Sequence, residues 1–372
     1  MPASLTTPDH LLRVHAFTGG AAVPAARFRV RQYVAPLARL GVAVTERFPA
    51  LGAYPPAARL LRPAWAAGTL AQRLPGVLAS HGADVVLLQR EMLSTLVTLE
   101  GLTGRPRVLD VDDAIHLFRG GRTARRLAGL CDLVICGNGW LADVYRDRMP
   151  NVAVLPTAID TDALTPAPWP DADPDTGYGV VIGWIGTSGN LRYLDAVAPA
   201  LAAVLARFPR ARLELCCDAP PAPAALPGLP AERIDFTPWS EAAEPGFFAR
   251  LTVGLMPLAD GDWERGKCSF KMLQYMAAGR PSVVSPVGMN RDVLAHGNHD
   301  VPAHGNDAVP AYGPVALGAA ATEEWAAALS GLIADPPAAR AMGAAARAAV
   351  EAHYAVAVLA PRLATLLRGV AG

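Results

Sequence analysis

The only two lysines of this 372-residue chain, Lys267 and Lys271, stand four positions apart in RGKCSFKMLQYMAAGRP (265–281), while every other fixed positive charge is an arginine. Ser269 precedes a run that stops at Gly279 and Pro281, a pattern that predicts a helix capped by Ser269 and reaching about Ala278. Lys267 then sits in the approach loop and Lys271 in the first turn. A cation at the positive end of a helix is misplaced by roughly 0.3–1 kcal/mol. An anion there reverses the sign, because the helix start and both ammonium groups would converge on it. The chemistry this suits is the binding of a phosphate or diphosphate, with about 1.5–3 kcal/mol from each charge-assisted hydrogen bond. The competing reading is a pair of solvated surface lysines.

Other groups could face the same anion. Gly19-Gly20 follows the first strand-like run, and GWIGTSGN (183–190) places Gly186, Thr187 and Ser188 after the first such run of the second half. Neither turn is a full dinucleotide fingerprint. Arg27 and Arg31 lie one helical turn apart beyond Pro24, toward the same place or on an ordinary solvated face. In LDVDDA (109–114), Asp110, Asp112 and Asp113 close a predicted strand; they suit a helix N-cap with an acidic first turn, and Asp112 or Asp113 could contact an acceptor hydroxyl. No nucleophile elbow, zinc motif or P-loop occurs. The near-duplicated segment 295–313 carries His296, His299 and His304, for which a surface loop is the expected reading over a metal site.

These residues need strands and helices to position them. Short apolar runs at LLRVHAF (11–17), VAVTERF (42–48), ADVVLLQR (83–90), RPRVLDVDD (105–113) and CDLVICGN (131–138) alternate with helical stretches, the first from Pro24 to Leu40. The pattern restarts with YGVVIGWIG (178–186), a helix to about Arg207, ARLELCCD (211–218), RIDFTPW (233–239), LTVGLMPL (251–258) and PSVVSPVG (281–288). Between them TDALTPAPWPDADPDTG has the composition of a linker. The expected fold is α/β: two Rossmann-like, doubly wound parallel-sheet lobes facing a cleft, with C-terminal helices. The expected boundaries are 1–160, a linker at 161–177, 178–350, and a last helix at 351–372 that packs back toward the first domain.

Composition excludes several classes. With 52% hydrophobic and 18% charged residues the chain can build cores and is not a disordered one. Five cysteines in no ligand spacing fit a reducing cytoplasm. No secretory leader and no apolar run of membrane-spanning length is present, so any membrane association is expected to be peripheral. Residues 1–150 hold 18 Arg against 11 Asp and Glu, while residues 151–372 hold 15 basic against 22 acidic residues. Either the two lobes attract each other, or the basic first lobe faces an anionic membrane or acceptor. Dispersed arginines without interleaved aromatics argue against nucleic acid.

With GKCSFKMLQYMAAGRPSVVSPVGMN (266–290), DVDDA, GWIGT and the opening GG…P…R.R, the chain resembles the family-4 glycosyltransferases, retaining enzymes of the GT-B type. The resemblance covers essentially the whole length. It implies that the second lobe binds a nucleotide-activated sugar and the first a glycan, lipid-linked or small-molecule acceptor, with no metal or other cofactor. On the family's Glu-x7-Glu pair this sequence has Gly266 and Gln274, a departure. Gln274 can still bond a ribose through its amide, whereas Gly266 cannot replace a carboxylate, although Asp260, Asp262 or Glu264 stand nearby. The implied mechanism is departure of a nucleoside diphosphate stabilised by Lys267, Lys271 and the helix start. Trp239, at the end of a strand, is a candidate for the nucleobase or simply for packing. Rival expectations are a sugar-nucleotide epimerase of related fold, a non-catalytic bilobal sugar-binding protein, and an NAD-dependent dehydrogenase, weakened by the incomplete glycine fingerprints.

Overall fold

A computed structural model of the chain describes residues 11–21, 23–175, 177–222, 226–297 and 312–372. The chain divides into two compact units: Met1–Ala158 with Gly266–Cys268 and Val356–Gly372, and Ile159–Arg265 with Ser269–Ala355.

In the first unit β1 (Leu12–Phe17), β2 (Val42–Arg47), β3 (Val85–Gln89), β4 (Arg107–Val111), β5 (Leu133–Cys136) and β6 (Val152–Val154) form one parallel sheet in the order β2-β1-β3-β4-β5-β6. Every residue of β3, β4 and β5 is buried, as expected of parallel strands covered on both faces. The crossovers include α1 (Pro24–Arg29), α2 (Val34–Arg39), α3 (Arg62–Ala79), α4 (Arg122–Ala128) and α5 (Gly139–Arg146). The single helix expected from Pro24 to Leu40 is therefore corrected: it breaks at Val30, whose φ of −128° and ψ of −60° leave the helical region, and a 3₁₀ turn over Arg31–Tyr33 joins the two pieces. Arg29, the last residue of α1, is buried.

The second unit repeats the plan. Strands β7 (Val181–Ile185), β8 (Arg212–Cys217), β9 (Ile234–Pro238), β10 (Val253–Met256), β11 (Ser282–Val284) and β12 (Leu317–Gly318) pair in the order β12-β11-β10-β7-β8-β9, all parallel. Its helices are α6 (Arg192–Asp195), α7 (Ala198–Arg207), α8 (Glu244–Arg250), α9 (Asp262–Arg265), α10 (Phe270–Ala277), α11 (Met289–Leu294), α12 (Thr322–Ala334) and α13 (Pro336–His353). The helix expected to run to Arg207 is split in two, because Val197 leaves helical geometry and Pro199 has no N–H to continue the ladder. Trp184 and Trp325 anchor the core between β7, β8, α7 and α12. Residues 161–175 contain no helix or strand and lie on this unit. Arg280, fully buried, donates through Nη2 to Ala167 O and Pro168 O at 3.2 and 2.9 Å, and Arg347 donates to Thr161 O and Leu164 O at 2.8 and 2.7 Å.

The chain ends on α14 (Val356–Ala371), which belongs to the first unit. Leu359, Leu363 and Leu367 join Val14, Leu37 and Leu87 in one cluster, and burying each leucine is worth about 1.5–3 kcal/mol. Arg368 Nη2 adds hydrogen bonds to Leu40 O and Gly41 O at 2.9 and 3.1 Å. In both sheets the chain order reverses beside the first strand, between β1 and β3 and between β7 and β10. Such switch points leave a crevice at the carboxyl ends of the strands, where α/β folds bind ligands. No helix among the described residues is long and apolar enough to cross a membrane.

Candidate active site

In the second unit the switch point gathers Lys271, Gly186, Thr187 and Ser188. Lys271 lies in the first turn of α10 and is half-buried, with its Nζ 5.7 Å from the centre of the Trp184 ring. The arm runs so close to the turn after β7 that a Cβ at Gly186 would lie 2.8 Å from Lys271 Cε and 2.9 Å from two carbons of Trp184. Glycine at 186 is what admits the lysine. Beyond it, Thr187 Oγ1 accepts from Asn190 Nδ2 at 2.9 Å, and Ser188 donates to Asp218 from both N and Oγ at 2.6 and 3.0 Å. The Ser188 amide holds the Asp218 carboxyl below its ordinary range, so the turn is fixed to the end of β8 by an ionised carboxylate.

Ser269 does not cap α10, which corrects the expected role. Its backbone is left-handed (φ 53°), its hydroxyl donates to Asn290 Oδ1 at 2.7 Å, and Asn290 Nδ2 in turn donates to Ser285 O at 2.9 Å. The residue fastens the start of α10 to α11. Gln274 is buried at 3% exposure on α10. A Cβ at Gly266 would lie 2.8 Å from the Ala114 Cβ, so no carboxylate side chain fits at that position. Of the three nearby acids, Asp260 and Asp262 both pair with Arg265 at 2.8 and 3.4 Å, whereas Glu264 is buried and accepts from the Tyr193 hydroxyl at 2.5 Å. Burial, and then the carboxylate it faces, push the Tyr193 hydroxyl up, so it remains a donor. Trp239 is half-buried at the end of β9, with its indole N–H donated to Glu244 Oε1 at 3.0 Å.

The remaining predicted residues belong to the first unit. Gly19 lies at the carboxyl end of β1 on the rim of a pocket, and Gly20 is buried beside it. Arg27 lies 4.7 Å from the centre of the Phe28 ring, and Arg31, in the 3₁₀ turn after α1, pairs with Glu46 of β2 at 2.8 Å. The buried cation of α1 is Arg29, which spacing did not single out. Its Nε and Nη2 reach Asp110 at 3.0 and 2.5 Å, and its Nη1 donates to Leu155 O at 2.8 Å. Burial by itself would pull the guanidinium down; the facing Asp110 more than offsets this and keeps it raised and charged. Asp110 thus closes a buried ion pair and caps nothing. Asp112 accepts from Gln89 Nε2 at 3.3 Å and Asp113 pairs with Arg90 at 3.3 Å, so the expected capping role is also corrected: the 3₁₀ turn that follows has Ala114 at its start and no side-chain cap. Lys267 is half-buried and groups with this unit, its carbonyl accepting from Asn138 Nδ2 at 3.0 Å.

All five cysteines are buried and unpaired. Among the described residues no cluster of three or more His, Cys, Asp or Glu side chains is arranged for a metal ion. His299 and His304, with residues 298–311, lie outside the described residues. His296 lies inside them, stacked on His353 at 4.3 Å and bonded through Nε2 to the Tyr354 hydroxyl at 2.8 Å.

The match that bears on this site falls on the unit that carries it. Residues 179–335 match the family described as Glycosyl transferases group 1. Among curated proteins none matches the sequence. Among solved structures, the sucrose-phosphate synthase of Thermosynechococcus elongatus superposes with a TM-score of 0.64 over 96% of this chain and 98% of its own, at 14% identity. Anabaena HepE, in complex with UDP and glucose, gives 0.65 over 96% and 100%, at 15% identity. The E. coli trehalose-6-phosphate structure bound with UDP-2-fluoro glucose gives 0.62 over 96% and 99%, at 11% identity. At such identities the likeness establishes the fold, a GT-B arrangement of two Rossmann-like lobes. The glycosyl transferase match covers β7 to β12, hence Lys271, the Gly186 turn, Glu264 and Trp239.

Proposed function

We propose that the chain is a retaining glycosyltransferase that moves a sugar from a nucleoside-diphosphate donor to an acceptor hydroxyl. The observation that carries this reading is the Lys271 arm laid across the Gly186 turn at the switch point of the second sheet, which offers an ammonium group to an anion bound at the start of α10. The family match over the same residues supports it, and the UDP and UDP-sugar bound in two of the structural neighbours favour a uridine donor.

In the proposed reaction the bond between the anomeric carbon and the diphosphate oxygen breaks, and its electron pair leaves on that oxygen. Lys271, with Lys267 and the helix start, neutralises the charge as it develops. The acceptor oxygen forms the new bond on the same face and gives its proton to the departing phosphate. No protein nucleophile and no metal is assigned to this step. In this reading Glu264, buried and bonded to Tyr193, takes the role toward sugar hydroxyls that Gly266 cannot fill.

Calorimetric titration with UDP, GDP, ADP and TDP tests this, repeated on Lys271→Ala. One diphosphate is expected to bind, and the substitution to weaken it about tenfold, or about 1.4 kcal/mol. Absence of binding by all four, with the variant behaving as the parent, would remove the reading's main support. Acceptor dependence separates the alternatives: an epimerase consumes donor without acceptor, and a sugar-binding protein does not consume it at all.

A further inference from the structure

We infer that the outward face of α3, with the loop before it, docks on a lipid surface that carries anionic headgroups. The inference goes beyond the transferase reading and does not depend on it. Seven of the fourteen exposed large hydrophobic residues described in the chain fall between Phe48 and Leu78, a stretch of less than a tenth of its length. From Arg47 to Ala83 the sequence holds four arginines, Arg47, Arg59, Arg62 and Arg73, and no aspartate or glutamate.

The pattern on α3 is the reverse of an ordinary surface helix. Thr69, Arg73 and Gly76 turn inward, Gly76 so closely that a Cβ there would lie 3.1 Å from the Phe17 ring of β1. Ala64, Ala67, Ala71, Leu74 and Leu78 follow the spacing of three and four residues along the opposite side, and all are exposed, Leu74 by 47% and Leu78 by 73%. The 3₁₀ turn that leads into the helix adds Leu60, 94% exposed, and Leu61. A helix that faces water normally carries charged and polar residues on its outer side. Here the helix has two charges: Arg73 is buried on the inner side, and Arg62 stands at the first position.

The preceding loop widens the apolar strip. Leu51 packs on α3, its Cδ1 2.8 Å from where a Cβ of Gly68 would lie, and the loop is held there by Ala50 N donating to Gln72 Oε1 at 2.7 Å and Trp65 Nε1 donating to Leu51 O at 3.2 Å. Phe48 lines a groove with Gln72 and Pro75 of the same helix. Leu51 and Phe48 both stay exposed. Patches of this extent mark a surface that is covered in use.

The charges decide what covers it. Arg59 and Arg62 flank Leu60 and Leu61, and Arg47 lines the same groove as Phe48. All three are exposed, and none makes an ion pair among the described residues. An apolar strip bordered by arginines and free of carboxylates is complementary to a bilayer with anionic headgroups, which takes leucine side chains into its acyl boundary while its phosphates meet the guanidinium groups. A second copy of the chain would bring the same arginines, with no carboxylate in the patch to answer them.

The test is flotation of the full chain with vesicles of phosphatidylcholine alone and of phosphatidylcholine mixed with phosphatidylglycerol. Binding to the mixed vesicles is expected to be at least about tenfold tighter than to phosphatidylcholine alone, and to weaken as salt is raised. Leu60→Gln combined with Leu61→Gln and Leu78→Gln is expected to weaken it by about tenfold or more, and Arg59→Gln with Arg62→Gln by about fivefold for each arginine. All five side chains are exposed, so both variants are expected to melt and to bind UDP as the parent does. Leu102→Gln, which removes an exposed leucine outside the patch, should leave vesicle binding unchanged. Absence of vesicle binding, equal binding to the two compositions, or an equal effect of Leu102→Gln overturns the inference. So does a concentration-dependent dimer in sedimentation that the leucine variant dissolves while vesicles are not bound, which would assign the face to a second copy. Nucleotide binding without vesicle binding defeats this inference alone; vesicle binding that responds to the patch variants, without any nucleotide binding, upholds the surface and defeats the transferase reading.

Discussion

A methyl group at Gly186 distinguishes a working site from a chance approach of side chains. The Cβ of Gly186→Ala would lie 2.8 Å from Lys271 Cε and 2.9 Å from two ring carbons of Trp184, well inside the roughly 3.5–4.0 Å of ordinary carbon contact. The lysine arm can move aside; Trp184, 1% exposed and packed among β7 and its neighbours, cannot. Overpacking of this kind costs about 1–3 kcal/mol, against which alanine recovers about 0.4–1 kcal/mol through the unfolded chain. A net loss of about 1–2 kcal/mol lowers the melting temperature of a unit of this size by roughly 2–4 °C per kcal/mol. The displaced ammonium should also weaken diphosphate binding by about tenfold. Gly189, three residues on in the same turn, has nothing within 4 Å of its would-be Cβ, so Gly189→Ala is expected to melt and bind as the parent does, or slightly better. Scanning calorimetry and UDP titration of both variants decide the matter. If Gly186→Ala matched Gly189→Ala in both assays, the close approach of Lys271 to the turn would not be what positions its charge.

Two further outcomes are expected. Arg29→Met and Asp110→Asn should each destabilise the first unit by about 3–5 kcal/mol in denaturant unfolding, since each strands a buried partner, whereas Arg29→Met combined with Asp110→Leu should recover most of the loss; single variants within about 1 kcal/mol of the parent would contradict a structural role for the pair. Burial, and next the charge of His353, lower His296 from 6.5 to about 4. A base held neutral by the fold stabilises it above its unfolded value, and that stability is lost as pH falls from about 6.5 through about 4. The melting temperature of the second unit should drop across that window and drop less in His296→Gln; identical profiles would refute the assignment.

Most strands were legible because parallel strands covered on both faces leave continuous apolar runs such as VVLLQ and LVIC. β6 and β12 were not, being three and two residues long without full burial. The break at Val30 was hidden as well, since periodicity on either side of it continues. Site residues failed where their partners are distant in the chain. Ser269 has the right type and place for a cap, yet its hydroxyl goes to Asn290, 21 positions away, and its backbone turns left-handed. Arg29 was passed over for Arg27 and Arg31, because a pair with Asp110 across 81 positions has no local signature. Among Asp260, Asp262 and Glu264 nothing in the sequence separates the acid bonded to Tyr193 from the two that neutralise Arg265.

The residue type at 271 has a local physical basis. A chain that uses arginine nearly everywhere has a physical reason to use lysine at 271: the atom of its arm that lies against the Gly186 turn is Cε, a methylene with no hydrogen-bonding demand. Arginine would place Nε at the same point along the arm, and its N–H would enter a gap walled by an indole face and a glycine backbone. A donor left without a partner there costs about 1–3 kcal/mol, and the planar guanidinium beyond it is broader than an ammonium group. Lysine delivers the charge past the gap on a slender apolar stem. The glycine at 186 and the lysine at 271 are therefore one device, and each residue type is explained by the other.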